Sequence, residues 1–180
     1  LHPGVTDIRL VQIWQNGHPC LVADLWHIGT KWLAELHALN LYAHNAMFER
    51  NHLAEVLELV PTITCTMLML RPFANYNLGL AKAVEIIGDS VTEPEASEAL
   101  GITLSKSLQV SNWGREELLQ EQLEYAAADA VAAALLAEQL EEMLQESEPC
   151  YRRTERFLQR LVPAIQGQAP LHIDWDAHQK

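Results

Sequence analysis

Tyr125 and Asp129 stand one helical turn apart in the stretch Glu121 to Leu136, which reads EQLEYAAADAVAAALL. At that spacing a phenol and a carboxylate project from the same side of a helix. A carboxylate is the oxygen ligand that hard cations such as Mg²⁺ take. The neighbours are mostly alanine, with Leu123, Val131, Leu135 and Leu136 as the larger apolar side chains, so the helix can lie close against another layer and hold the acid in place. A half-buried tyrosine beside a capping or solvated acid has the same spacing, so the pair alone does not specify a function.

The elements that would position this helix follow from the hydrophobic pattern. Ile8 to Gln15 and Cys20 to Leu25 are β-rich runs separated by Asn16-Gly17-His18-Pro19, which predicts an antiparallel hairpin. Thr30 reads as the N-cap of a short helix through His37. The short run Leu41 to Ala43 leads into His44-Asn45 and then a helical stretch from Ala46 to Val60, with Phe48, Leu53, Val56 and Leu57 as its apolar stripe. Pro61 ends it, and Thr62 to Cys65 is a second short strand before the apolar run Met67 to Leu70. Leu78 to Ile87 and Glu95 to Leu100 read as helices, Leu104 to Gly114 as a loop, and Arg115 to Gln145 as one long helix. Strands feeding helices in this order predict an α/β layer arrangement.

Ser147-Glu148-Pro149 suggests a boundary between a domain over 1–148 and a connector over 149–180. Beyond it, Tyr151 to Gln166 reads as an amphipathic helix. Arg152, Arg153, Arg156 and Arg160 make it the one concentrated positive patch, with four of the 12 basic residues. A solvated helix face and a phosphate or acidic-partner contact are both open readings of it.

The formal net charge of −12 disfavours a protein that grips duplex DNA with its whole surface, though it leaves room for a cleft that admits a few nucleotides of single strand. No run reaches the roughly 18 apolar residues needed to span a bilayer. Cys20, Cys65 and Cys150 are odd in number and widely separated, which fits packed thiols in a reducing cytoplasm better than a disulfide framework. The eight histidines include His18, His27, His37, His44 and His52 in the first third, but no two pair at a strong ligand spacing on one helix face.

Three further stretches turn the tyrosine–aspartate pair into a resemblance. His44-Asn45-Ala46-Met47-Phe48-Glu49 is similar to the His-Asn-x-x-Phe-Asp signature of the 3′–5′ exonuclease superfamily with four acidic residues and a tyrosine. That group includes the proofreading domains of family A DNA polymerases and the ribonuclease D enzymes. Leu100-Gly101-Ile102, followed by Lys106, Gln109, Ser111, Asn112 and Trp113, resembles its Leu-Gly-Ile…Lys…Gln-x-Ser-Asp-Trp segment. Glu121 to Ala127 is nearly its third motif. Together these cover most of residues 7 to 146. The tail, Tyr151-Arg152-Arg153-Thr154-Glu155 and Leu161 to Ile165, resembles the junction where a family A polymerase region begins.

The resemblance implies a ribonuclease H-like fold, a mixed sheet flanked by helices, lacking its first strand. It implies hydrolysis of a phosphodiester at the 3′ end of DNA with Mg²⁺ or Mn²⁺, the two-cation route that activates water, stabilises the leaving oxygen and neutralises charge at phosphorus. Asp129 would coordinate one cation, Glu49 the second, largely through water, and Tyr125 would orient the attacking water. Asn45 would bond sugar or phosphate, Phe48 would pack beneath the terminal nucleotide, and His44 would order the approaching loop. Lys106, Gln109 and Trp113 would border the cleft. The implied partners are a single-stranded DNA 3′ end and a polymerase region of the same parent chain.

Two departures bear on activity. Glu49 stands where the family has aspartate, moving the carboxylate by about one bond length, and catalysis is sensitive to displacements of around 1 Å. The family's first motif, Asp-x-Glu on the leading strand, would lie a few residues before Leu1, since Leu1-His2-Pro3-Gly4 resembles the segment just after that motif. With two of the family's four carboxylates outside the sequence, little or no exonuclease activity is expected of the chain as given, whether it is cut from a competent parent or is a relic. The alternatives are a domain that holds single strands or braces a neighbour without cutting, with Trp14, Trp26 and Trp113 as stacking candidates, and a ribonuclease D-like RNA exonuclease.

Overall fold

The computed structural model describes residues 8–74, 78–90, 108, 110–146, 153–154 and 156–161. The expected hairpin is present: β1 (Leu10–Ile13) runs antiparallel to β2 (Leu21–Asp24), with Leu10 opposite Asp24 and Ile13 opposite Leu21. Its turn needs a residue at positive φ, and Gly17 supplies it at 79°. The second strand stops at Asp24 rather than Leu25 because the Asp24 side chain accepts from the Trp26 N–H at 3.1 Å. It thereby caps a single helical turn, α1 (Leu25–Ile28), which Gly29 closes at φ 74°.

The segment after Thr30 is a 3₁₀ helix, Lys31–Ala38, and Thr30 makes no side-chain capping bond. Leu33 and Leu36 anchor it in the core. β3 (Leu41–Ala43) pairs in parallel with β4 (Ile63–Cys65). Among the described residues the strands form two separate two-stranded sheets, one antiparallel and one parallel. The architecture is mixed α/β, in keeping with the ribonuclease H-like expectation.

Between β3 and β4, the helix expected to run from Ala46 to Val60 is shorter: α2 covers Met47–Leu53. After Leu53 the backbone tightens, with Glu55 and Val56 N–H donating to the carbonyls three residues back. Val56 and Leu59 are exposed, so this stretch has only Leu57 and Val60 to pack on the core. Too little apolar surface is buried to carry another helical turn. His37 Nε2 donates to the Leu59 carbonyl and ties the returning chain to the 3₁₀ helix.

α3 (Thr66–Met69) and α4 (Leu80–Ser90) lead to the long helix α5 (Gln120–Glu146). α5 lies against β1, β2, β3, α3 and α4. Its small buried residues Ala126 and Ala132 allow the close approach, while Leu136, Leu140 and Leu144 join Met69, Leu70, Leu78, Ala83 and Ile87 in one core cluster. A second cluster, Leu25, Leu33, Leu36, Ala46, Leu53, Ile63, Cys65 and Leu68, fills the space between the 3₁₀ helix and the parallel pair. The helix expected over Glu95 to Leu100 lies outside the described residues.

α5 begins at Gln120, five residues later than Arg115, where the sequence pattern places it, and the cause is Arg9. Its guanidinium donates to the carbonyls of Trp113 at 2.7 Å, Glu116 at 3.0 Å and Arg115. A helix starting at Arg115 would need the last two of those carbonyls for its own ladder.

Candidate functional site

The N-terminal turn of α5 and the 111–116 loop are built as one unit. Gln122 is almost wholly buried, and its Oε1 accepts from the Leu119 N–H at 3.0 Å, a side chain three residues in reaching back to cap the helix start. Its Nε2 donates to Ser111 Oγ at 2.9 Å and to the Asn112 carbonyl at 3.1 Å. Ser111 Oγ donates in turn to the Leu108 carbonyl at 2.7 Å.

From the other side Arg9, only 8% exposed, spans the loop carbonyls and Asp24, whose Oδ2 it meets at 3.1 and 3.2 Å. The same guanidinium sits 4.1 Å over the Trp26 ring. Burial pushes the Asp24 carboxyl up, but the Arg9 hydrogen bond and charge and the Trp26 N–H more than offset it, leaving its pKa below the ordinary value.

This frame fixes Trp113 beside Tyr125, with ring centroids 6.2 Å apart and planes inclined at 49°. Tyr125 in turn interacts with Asp129. Burial, then the Asp129 charge and hydrogen bond, raise the phenol's pKa. Burial pushes the Asp129 carboxyl up to about 6, against the opposing pull of the Tyr125 hydrogen bond. Trp113 on the loop thus neighbours Tyr125, and Tyr125 neighbours Asp129 on the first turns of α5.

Glu49 lies on α2. Its Oε2 is buried with no hydrogen-bond partner, and burial lifts the carboxyl to about 7 despite a bond to its own backbone N–H. Three residues on, His52 Nδ1 donates to the Phe48 carbonyl at 2.8 Å and its Nε2 is also buried and unpartnered. The Phe48 ring is exposed and lies 4.2 Å from the His52 ring. Asn45, exposed at the turn into α2, has φ 65°, a left-handed conformation that asparagine tolerates better than most residues. Its carbonyl accepts from the Phe48 N–H at 2.8 Å.

His44 is held on both ring nitrogens. Nε2 donates to the Leu78 carbonyl at 2.7 Å and Nδ1 accepts from Thr66 Oγ1 at 2.9 Å. Burial lowers its pKa, so the ring is neutral at pH 7 and links the end of β3 to the starts of α3 and α4. Lys106 and Gln109, expected at the cleft, lie outside the described residues. Trp14 is half-buried, and Trp26 already carries the Arg9 guanidinium on one face.

An orphaned buried oxygen such as Glu49 Oε2 is what a cation or an ordered water would satisfy. Oxygen donors of this kind suit a hard cation. Among the described residues, however, no three His, Cys, Asp or Glu side chains gather into a metal-holding group. The described donors therefore fall short of a two-cation site. Nor, among those residues, is any helix long and apolar enough to cross a membrane.

Sequence reasoning missed Arg9, Gln122 and Gln159. Arg9 is a lone basic residue just before β1, and the pairing of Leu10 with Asp24 brings it alongside that carboxylate, a proximity that the sequence alone does not give. Gln159, on the helical segment 156–161, donates to the Cys65 carbonyl at 2.8 Å and accepts from the Cys65 N–H at 2.9 Å, so it occupies the edge of β4 as a neighbouring strand would. No local pattern in the sequence announces that bond.

Residues 93–145, which include Tyr125 and Asp129, match the family model DNA_pol_A_exo1, 3'-5' exonuclease. No curated protein matches the chain. Among solved structures, Brucella melitensis NrnC is 23% identical with a TM-score of 0.62, over 97% of this chain and 85% of that one. NrnC bound to pGG, at 20% identity and TM-score 0.57, and NrnC with bound Mg²⁺, at 20% and 0.56, each cover 93% of this chain and 82% of theirs. The chain thus shares the fold of NrnC over nearly its whole length, and the segment bearing its tyrosine–aspartate pair is similar to 3′–5′ exonucleases.

Proposed function

We propose that this chain is a 3′–5′ exonuclease domain that receives the 3′ end of a nucleic-acid strand at the start of α5. The observation that carries this reading is the Tyr125–Asp129 pair, set beside Trp113 inside the segment that matches the exonuclease family model. Asp129 and Glu49 would offer oxygens to a divalent cation, which when bound would activate water and neutralise charge at phosphorus. The indole of Trp113 offers the terminal base a stacking surface, and the Asn45–Phe48 turn offers an exposed amide and ring. With Glu49 in place of aspartate and two carboxylates described, hydrolysis by the chain itself is weak.

The parent favoured by the tail's sequence is a polymerase. A second reading, an exonuclease of short RNA strands with no polymerase attached, draws support from the likeness to NrnC, which covers nearly the whole chain and includes a complex with pGG. The Gln159 contact with β4 supports counting the tail with the exonuclease body.

The test is competition against a 5′-labelled ten-nucleotide strand, followed by fluorescence anisotropy with Mg²⁺ present, in DNA and RNA forms. Strands ending in a 3′-hydroxyl should compete better than the same strands ending in a 3′-phosphate. The Asp129→Ala variant should lose that preference along with any residual 3′ shortening. Equal competition by the two ends, or no binding of either strand, would reject the reading. The better-bound sugar decides between the DNA and RNA versions.

A further inference from the structure

We infer that Arg153, Arg156 and Arg160 form a phosphate-binding rail that guides the strand's backbone toward the site, an inference that rests on the exonuclease reading. Three observations support it.

The first is orientation. Gln159 is fixed on the edge of β4 by its two bonds to Cys65. At about 100° per residue, Arg156, Arg160 and Arg153 fall roughly 60°, 100° and 120° around the axis from Gln159, on one narrow stripe beside the docked edge. All three are exposed, and none forms an ion pair among the described residues.

The second is location. Cys65 ends β4, and the next residue, Thr66, donates to His44, which precedes Asn45. An unbroken run of bonded or adjacent residues therefore ties the arginine stripe to the turn carrying Asn45 and Phe48. Both strands of the parallel pair end there, at the carboxyl edge where open α/β sheets take their ligands.

The third is charge. The chain has 24 acidic and 12 basic residues, and Arg152, Arg153, Arg156 and Arg160 are the one dense run of cations in it. A polyanion approaching a surface of net charge −12 finds few places to settle, and this stripe is anchored rather than free to wander. Arg153 to Arg160 span about 10 Å at 1.5 Å per residue, which matches roughly three phosphates at the ~3.4 Å rise of a stacked strand. Guanidinium groups are suited to phosphate because their N–H fork meets two oxygens at once.

The rail makes the strand's affinity depend on salt in proportion to the phosphates it neutralises, by about 0.7 in the log–log slope per phosphate of single strand. The experiment compares wild type, Arg156→Gln/Arg160→Gln and the charge-matched Lys31→Gln/Lys82→Gln, after thermal melts confirm that all three are folded. Each is titrated with a labelled ten-nucleotide strand at several salt concentrations. The arginine variant should bind several-fold more weakly at low salt, with a slope shallower by roughly 1.4, while the lysine variant should match wild type. Wild type binding with a 3′-end preference and the two double variants behaving alike would overturn the rail and leave the exonuclease reading standing. Failure of wild type to bind any strand would overturn both.

Discussion

The indole of Trp113 lies beside the phenol of Tyr125, 6.2 Å between ring centroids, and the Trp113 carbonyl is fixed by Arg9 from the opposite end of the chain. The residue just before the hairpin thereby sets the position of the loop that flanks Tyr125. Removing Arg9 leaves three loop carbonyls and Asp24 without their donor, and breaking a buried ion pair from one side costs on the order of 3 kcal/mol. Arg9→Met should lower the free energy of unfolding by about that much in urea melts. It should also change the near-ultraviolet circular dichroism of the Trp113–Tyr125 pair. A variant as stable as wild type would show that the clamp is idle.

Glu49 should make the folded protein less stable as pH rises. Its carboxyl is pushed up to about 7 by burial, above an ordinary value of 4.5. Below about pH 4 both folded and unfolded states hold the proton, so no penalty applies. Between about 4.5 and 7 only the folded state holds it, and stability falls with each step in pH. Above about 7 the penalty is complete, at about 3 kcal/mol. Glu49→Gln, measured without divalent cations, should therefore raise the melting temperature at about pH 8 and change it little at about pH 4. Equal effects at both pH values would contradict the assignment.

Tyr125 restrains the rise of the Asp129 pKa, because its hydrogen bond favours the charged carboxylate. Tyr125→Phe should shift the Asp129 titration, followed by the ¹³C signal of its side-chain carboxyl, upward from about 6. Any cation binding or strand processing that needs ionised Asp129 should move to higher pH with it. A downward shift, or none, would separate the two side chains.

Gln159 joins the helical segment 156–161 to β4 by two hydrogen bonds, so this contact is open to a single substitution. Gln159→Leu should leave the Cys65 N–H unsatisfied, at about 1–3 kcal/mol, and speed hydrogen exchange at the Cys65 amide by roughly tenfold or more. Unchanged exchange at Cys65 would show that another group closes the edge.

Much of this arrangement is legible in the sequence, for local reasons. The hairpin follows from alternation around Asn16-Gly17, the parallel pair from two short apolar runs, and the tyrosine–aspartate face from a spacing of four. The features that escape a sequence reading depend on contacts far apart in the chain. The start of α5 shifts to Gln120 because Arg9, more than 100 residues earlier, takes the carbonyls of Arg115 and Glu116. α2 stops at Leu53 because the apolar residues beyond it find little to cover them, which periodicity alone cannot reveal. The motif around His44 points to a residue that orders a loop, and only the fold shows that both its nitrogens are held, by Thr66 and Leu78.

The most direct test of the account is paramagnetic relaxation measured on the isotope-labelled protein with a bound ten-nucleotide strand, spin-labelled at one end or the other. A label at the 3′ nucleotide should broaden the signals of Trp113 and Tyr125, and a label at the 5′ nucleotide should leave them sharp. Sharp Trp113 and Tyr125 signals with the 3′-labelled strand fully bound would contradict the claim that this helix receives a strand's 3′ end.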